Sequence, residues 1–224
     1  MLQEGAIVTT LAHPHLVRGY ARCIEPPALV LETLWGATLA AVIEQGPLGH
    51  EDVALLGDQL ASVLGYLHRH DWLHLDVKPA NVVVRGGSAV LIDLSLAGRP
   101  GDGRPGAGTR GYLAPEQALG VGLSPAADVW GLGVTLLEAL TGELPHGDEA
   151  TWESRRRLPL VHRRLPSRPF DGAGQVAALG ALPDGWSDLL LACVDPDPAA
   201  RPRLADVRHV LGSGALSRGS SVEP

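Results

Sequence analysis

Leu73-His74-Leu75-Asp76-Val77-Lys78-Pro79-Ala80-Asn81-Val82-Val83-Val84 contains the only lysine in a chain of 224 residues. The chain has 18 Lys and Arg residues together, and all but Lys78 are arginine. Nothing in that composition explains a lone lysine. A compact ammonium on a flexible stem differs from a planar guanidinium fork wherever one oxygen must be met at one point. Lys78 is therefore a candidate for point-charge chemistry, against the plainer reading of a solvated loop cation.

The neighbours favour chemistry. Asp76 lies two residues before Lys78 and Asn81 three after it, while Asp93 follows in Leu91-Ile92-Asp93-Leu94-Ser95. An oxygen-rich set of this kind suits Mg2+, a hard ion that takes carboxylate, amide and phosphate oxygens. Asn81 and Asp93 are the candidate metal ligands. Asp76 is left to orient a hydroxyl, and Lys78 to neutralise a transferring phosphoryl group. Phosphoryl transfer needs mainly positioning and charge neutralisation, which these four residues supply.

The surrounding sequence reads as an α+β chain. Gln3–Ala12 reads as a helix end, broken at His13-Pro14. Leu16–Cys23 and Ala28–Glu32 form a hairpin about Glu25-Pro26-Pro27, and Asn81–Val84 with Ala89–Ile92 form a second around Arg85-Gly86-Gly87. Glu51–Arg69 carries helical spacing at Val53, Leu56, Leu60, Val63, Leu64 and Leu67. Residues 98–111 are rich in Gly, Pro and Arg and must be a loop. Ala126–Leu140 is apolar on nearly all sides, as a helix buried at a domain centre would be. Two more helices are expected near Trp186–Val194 and Leu204–Leu211.

Bulk properties narrow the class. Hydrophobic residues make up 45% of the chain, enough for a real core, and the formal net charge of -7 argues against a nucleic-acid surface. Cys23 and Cys193 form no paired motif, which fits a reducing, cytoplasmic setting. The opening residues do not read as a secretory signal, and no apolar run reaches membrane-spanning length. The cluster Arg155-Arg156-Arg157, with Arg163, Arg164 and Arg168, reads as a solvated face or a contact for an acidic partner. His68, His70 and His74 could suggest zinc, but core and loop histidines are the better reading. Residues 213–224 are expected to form a disordered tail.

The chain resembles the protein kinases. Its His74-Leu75-Asp76 through Asn81 matches their His-x-Asp-x-x-x-x-Asn catalytic loop, and Asp93-Leu94-Ser95 stands where the metal-binding Asp-Phe-Gly does. Ala114-Pro115-Glu116 lies within GTRGYLAPEQ, DVWGLG (128–133) is similar to the family's central helix, and Arg201 in DPAARP looks like the buried partner of Glu116. Lys78 and Thr109 resemble the serine/threonine branch, in which the threonine hydroxyl bonds the catalytic aspartate and lysine. HPHLVRGY, LVLETLWGATL and GYLAPEQ are similar to bacterial members of that branch.

The resemblance implies a mostly helical C-terminal lobe with a truncated N-terminal lobe of one helix and a β-hairpin. It places the lobe remnant and hinge at residues 1–34 and the large lobe at 35–212. It implies ATP and Mg2+ as cofactors and Asp76, Lys78 and Asn81 as catalytic residues. Glu32 and Leu34, in the hinge from Leu31 to Leu34, would meet ATP together with Lys78, Asn81 and Asp93. Glu4, His74, Thr109, Glu116, Asp128 and Arg201 would be structural supports. The substrate would be a protein serine or threonine.

Three departures stand out. The family's glycine-rich phosphate loop is missing, as is its strand lysine, which would pair with Glu4; a partner polypeptide completing the small lobe is one expectation. Ser95 replaces a glycine. Leu75 replaces the arginine that receives an activation-loop phosphate in the family, which argues against switching by loop phosphorylation. The alternatives to a kinase are a pseudokinase that acts as a binding scaffold and, more weakly, a small-molecule phosphotransferase.

Overall fold

The computed structural model describes residues 2–145 and 182–216. The arginine cluster from Arg155 to Arg168, Trp152 and the end of the chain beyond Leu216 lie outside the described residues.

The first helix, α1 (Leu2–Thr10), turns Gly5, Ile7 and Val8 inward and packs on the hairpin of β1 (Gly19–Cys23) and β2 (Ala28–Leu31). Gly19 permits that approach, since a Cβ there would stand 2.6 Å from a Val8 methyl. The hairpin is antiparallel and forms its own two-stranded sheet. A three-stranded sheet follows, in which β4 (Val82–Arg85) lies between β3 (Ala37–Thr38) and β5 (Ser88–Leu91). The β4–β5 turn uses Gly86 and Gly87 at φ +54° and +78°, as a two-residue turn with two left-handed positions demands. The segment after α1 joins this sheet: Val17 donates to the Leu91 carbonyl at 3.0 Å, and Leu91 donates to that of His15 at 2.9 Å.

The helices form the core. After the short α2 (Leu39–Ile43), α3 (His50–Arg69) packs against both α5 (Pro125–Thr141) and α7 (Leu204–Leu216). Helix α3 has Glu51 and Asp52 in its first turn and His68 and Arg69 in its last, a charge order that complements the helix dipole. Helix α5 is the central element expected from its all-round apolarity. Ser124 caps its start, Pro125 occupies its first turn, and Gly142 at φ +75° ends it. Trp130, Leu132, Val134, Leu136 and Leu137 on α5 are all completely or almost completely buried.

Three elements were not expected from periodicity: the two-residue strand β3 and the short helices α2 and α4 (Pro115–Leu119). Helix α6 (Trp186–Cys193) falls where the spacing put it. Helix α7 continues to Leu216, four residues into the segment expected to be a disordered tail. Among the described residues, no helix is long and apolar enough to cross a membrane.

Candidate active site

Residues 70–81 connect α3 to β4. Arg99 fastens the start of this loop. Its guanidinium donates to the carbonyls of His70 (2.8 Å) and Asp71 (2.9 Å) and stacks on Trp72 at 3.9 Å. Leu73 and Gly98 then exchange two backbone hydrogen bonds. Leu75 lies at φ +64°, a conformation that costs a non-glycine residue about 1–3 kcal/mol and persists only where its surroundings impose it. Here the Leu75 amide donates to Asp128 Oδ1 at 2.8 Å, and its carbonyl accepts the Gln117 side-chain amide at 2.6 Å.

Asp128 supports the loop from the first turn of α5. Its Oδ2 accepts the His74 amide and the His68 Nε2 hydrogen, each at 2.8 Å. Burial alone would raise the pKa of this carboxyl group, but hydrogen bonding and charge from His68, with help from His74 and the Leu75 amide, hold it below the usual value. His68 is thus a support for this carboxylate rather than part of a zinc set. His74 is fully buried. Its Nδ1 accepts the Asp76 amide at 3.3 Å, which leaves the proton on Nε2 to face the Ile92 carbonyl at 3.2 Å. Burial lowers its pKa and keeps it neutral, despite the pull of Asp128, Asp76 and Asp93.

Asp76, Lys78, Asn81 and Thr109 meet at one point. Asp76 is 7% exposed, and both of its oxygens are engaged. Oδ2 accepts Lys78 Nζ at 2.7 Å and Asn81 Nδ2 at 2.9 Å. Oδ1 accepts the Thr109 hydroxyl at 2.7 Å and its backbone amide at 3.1 Å. Lys78 also donates to Thr109 Oγ1 at 2.5 Å. The lone lysine is therefore fixed between two oxygens, with its side chain 18% exposed, and is no solvated loop cation. The Asn81 nitrogen serves Asp76 twice, through Oδ2 and the backbone carbonyl, so its own Oδ1 is turned away as a hard acceptor.

Asp93 follows β5 at φ +61°, only half-buried. Burial would raise its pKa, but hydrogen bonds from the Ser95 hydroxyl and amide outweigh this, and His74 and Lys78 add to them, so the group stays ionised. Asp76 and Asp93 both pull the pKa of His74 upward, against its burial. A carboxylate and a side-chain amide oxygen are ligand types that Mg2+ accepts, and an ammonium is one that meets phosphate oxygens.

The remaining expected residues are spread around this centre. Glu116 and Arg201 form a two-pronged pair at 2.7 and 2.9 Å, and Arg201 also donates to the Ala126 and Asp195 carbonyls. Its guanidinium stands 5.0 Å from the centre of the Trp130 ring. The Glu32 carboxylate accepts the Arg18 amide at 2.7 Å, and Leu34 packs against the core. Glu4 sits half-buried on α1, whose neighbouring Gln3 donates to the Ala97 carbonyl at 2.5 Å.

Sequence reasoning missed three contributors: His68, Gln117 and the Tyr112–Glu138 pair. Tyr112 donates to Glu138 Oε2 at 2.5 Å, and burial raises the pKa of both groups. Their sequence contexts carry no distinguishing signal: His68 stands beside Arg69 and His70, and Gln117 directly follows Glu116. Such residues become informative only when their partners are known.

A model of the protein kinase domain family matches residues 1–211. The serine/threonine-protein kinase PkaA of Streptomyces coelicolor is 32% identical over 213 residues, covering 90% of this chain and 37% of that protein. The probable serine/threonine-protein kinase PkwA of Thermomonospora curvata is 32% identical over 190 residues (82% of this chain, 24% of that protein). The SNF1-related protein kinase catalytic subunit alpha KIN12 of Arabidopsis thaliana is 33% identical over 215 residues (92% and 41%). The chain thus spans well under half the length of these relatives. A match running from the first residue to Leu211, buried on the last helix, makes this chain a member of the protein kinase domain family.

Proposed function

We propose that the chain carries the phosphoryl-transfer centre of an ATP-dependent serine/threonine protein kinase. The observation that carries this reading is the convergence of Lys78, Asn81 and Thr109 on the two oxygens of Asp76. Asp76 orients the substrate hydroxyl and takes its proton. Lys78 offsets charge on the transferring phosphoryl group. Asn81 and Asp93 would hold Mg2+, which, when bound, neutralises the phosphate oxygens. The backbone from Leu31 to Leu34, with Glu32 and Leu34, would meet the adenine.

Protein acceptors with serine or threonine follow from the Thr109–Lys78 contact and from the names of the relatives. Cys23 and Cys193 are both free thiols, which fits a cytoplasmic setting. Among the described residues, β2 pairs only with β1, while Val30 and Leu31 remain 45% and 38% exposed. An apolar strand with an open edge accepts a further strand. We assign that place to a polypeptide segment that completes the sheet over the nucleotide phosphates.

The test is transfer of the terminal phosphate from Mg·ATP to a mixed serine, threonine and tyrosine peptide library, using the full-length natural protein. Phosphoserine and phosphothreonine are the expected products. Nucleotide binding without any transfer would instead point to a binding scaffold, and phosphotyrosine would contradict the assigned branch.

A further inference from the structure

Gln117 is buried in α4, directly after Glu116, and its side chain leaves that helix for two distant backbone groups. Nε2 donates to the Leu75 carbonyl at 2.6 Å and to the Ala107 carbonyl at 2.7 Å. Both partners are acceptors, so the amide nitrogen must face them, and both of its hydrogens are used. Leu75 is the residue before Asp76, and Ala107 stands two residues before Thr109. One amide group therefore grips both flanks of the Asp76–Thr109 contact.

The loop from Gly98 to Gly111 is tied at its start by the Arg99 side chain, which donates to the His70 and Asp71 carbonyls, and by Asp102, whose Oδ1 accepts the Gly122 amide; further ties run through its backbone. Gly101 exchanges two hydrogen bonds with Leu123, Gly103 donates to the Gly120 carbonyl, and Gly106 donates to the Gln117 carbonyl. Space around the amide is tight. Gly108 lies at φ +140°, and a Cβ there would stand 2.7 Å from Gln117 Nε2 and 2.6 Å from a Leu113 methyl. The Glu116–Arg201 pair anchors α4 one residue away. Position 75 holds leucine, so no cation is available there to catch a loop phosphate.

We propose that Gln117 is a positioning residue that fastens the Ala107–Thr109 end of the 98–111 loop to the loop carrying Asp76, in place of a phosphate–arginine contact. The fastening is uncharged and permanent, so Thr109 is held on Asp76 without any modification of the loop. This inference rests on the reading of Asp76 as the group that orients the substrate hydroxyl. Its structural part does not depend on catalysis.

The experiment compares the wild-type chain with Gln117→Met, which keeps the volume and removes both donors, and with Gln117→Glu, which turns acceptors toward acceptors. Amide hydrogen exchange is followed at Thr109 and, as a reference, at Leu137 inside α5, without nucleotide. Losing two buried hydrogen bonds is expected to speed exchange at Thr109 by roughly tenfold or more, with Leu137 nearly unchanged. Gly108→Ala, which crowds the same amide, should give the same selective loss. Equal acceleration at both positions, or none at Thr109 in Gln117→Met, would overturn the proposal. If Gln117→Glu does not fold, Gln117→Met decides the matter. Absence of kinase activity would leave these exchange rates intact, so the two readings fail separately.

Discussion

Asp128 Oδ1 accepts the backbone amide of Leu75 at 2.8 Å across 53 residues of sequence, and Leu75 is held at φ +64°. The buried carboxylate also serves the His74 amide and the His68 ring. Asp128→Ala orphans three donors at once. At about 1–3 kcal/mol for each, the loss should be on the order of 3 kcal/mol or more. Urea unfolding measures it, and a change below about 1 kcal/mol would show that the loop keeps its shape without this carboxylate.

The Glu116–Arg201 pair should behave as a buried pair does. Removing one partner strands the other charge inside the lobe, at a cost of about 3–5 kcal/mol. Arg201→Leu should therefore lower the melting temperature sharply. The double variant Glu116→Leu with Arg201→Leu should recover part of the loss, because no charge is left unpaired. Additive losses in a double-mutant cycle would contradict the pairing.

Gly131 lets α5 approach the candidate catalytic loop, since a Cβ there would stand 3.0 Å from Val77 Cβ and 3.1 Å from its carbonyl oxygen. Gly131→Val should push that loop away and cost about 1–3 kcal/mol, as overpacking does. A melting curve that matches the wild type would show that the helix and loop have room to spare.

Acid should destabilise the fold in two windows. Burial depresses the His74 pKa below 6.5 in the folded state, so the unfolded chain takes up a proton first. Stability from this residue is complete above pH 6.5 and declines as pH falls below it, by at most about 1.4 kcal/mol per pH unit. Asp128, held below 3.8 by His68 and its other partners, adds a second loss as pH falls below about 4. Melting temperatures from pH 8 to 5 test the first window, and His74→Gln should flatten it. A wild-type curve that is level from pH 8 to 5 would count against a buried neutral His74.

Elements with a local cause were legible in the sequence. Helix α3 declares itself through apolar spacing, α5 through continuous apolarity after a capping serine and a proline, and the β4–β5 turn through its paired glycines. The contacts of Asp76 with Lys78 and Asn81 were also legible, because the three lie within six residues. What escaped has a tertiary cause. Helix α4 is five residues long and is anchored by Arg201, 85 residues away from Glu116. Strand β3 is two residues long and exists only because β4 lies beside it. The 98–111 loop has no periodicity, yet backbone bonds to residues 117–123 help to fix it. Glutamine at position 117 looks like any polar helix residue until the Leu75 and Ala107 carbonyls are brought to it.

In the proposed mechanism, Asp76 orients the acceptor hydroxyl while Lys78 meets the transferring phosphoryl group. The most direct measurement is the single-turnover rate of phosphate transfer from Mg·ATP to a serine peptide, comparing full-length wild type with Asp76→Asn and Lys78→Ala. ATP affinity is measured beside it. A rate reduced about 10²–10⁴-fold in Asp76→Asn, with ATP still bound, is the expected result. Transfer by Asp76→Asn at the wild-type rate would contradict the account.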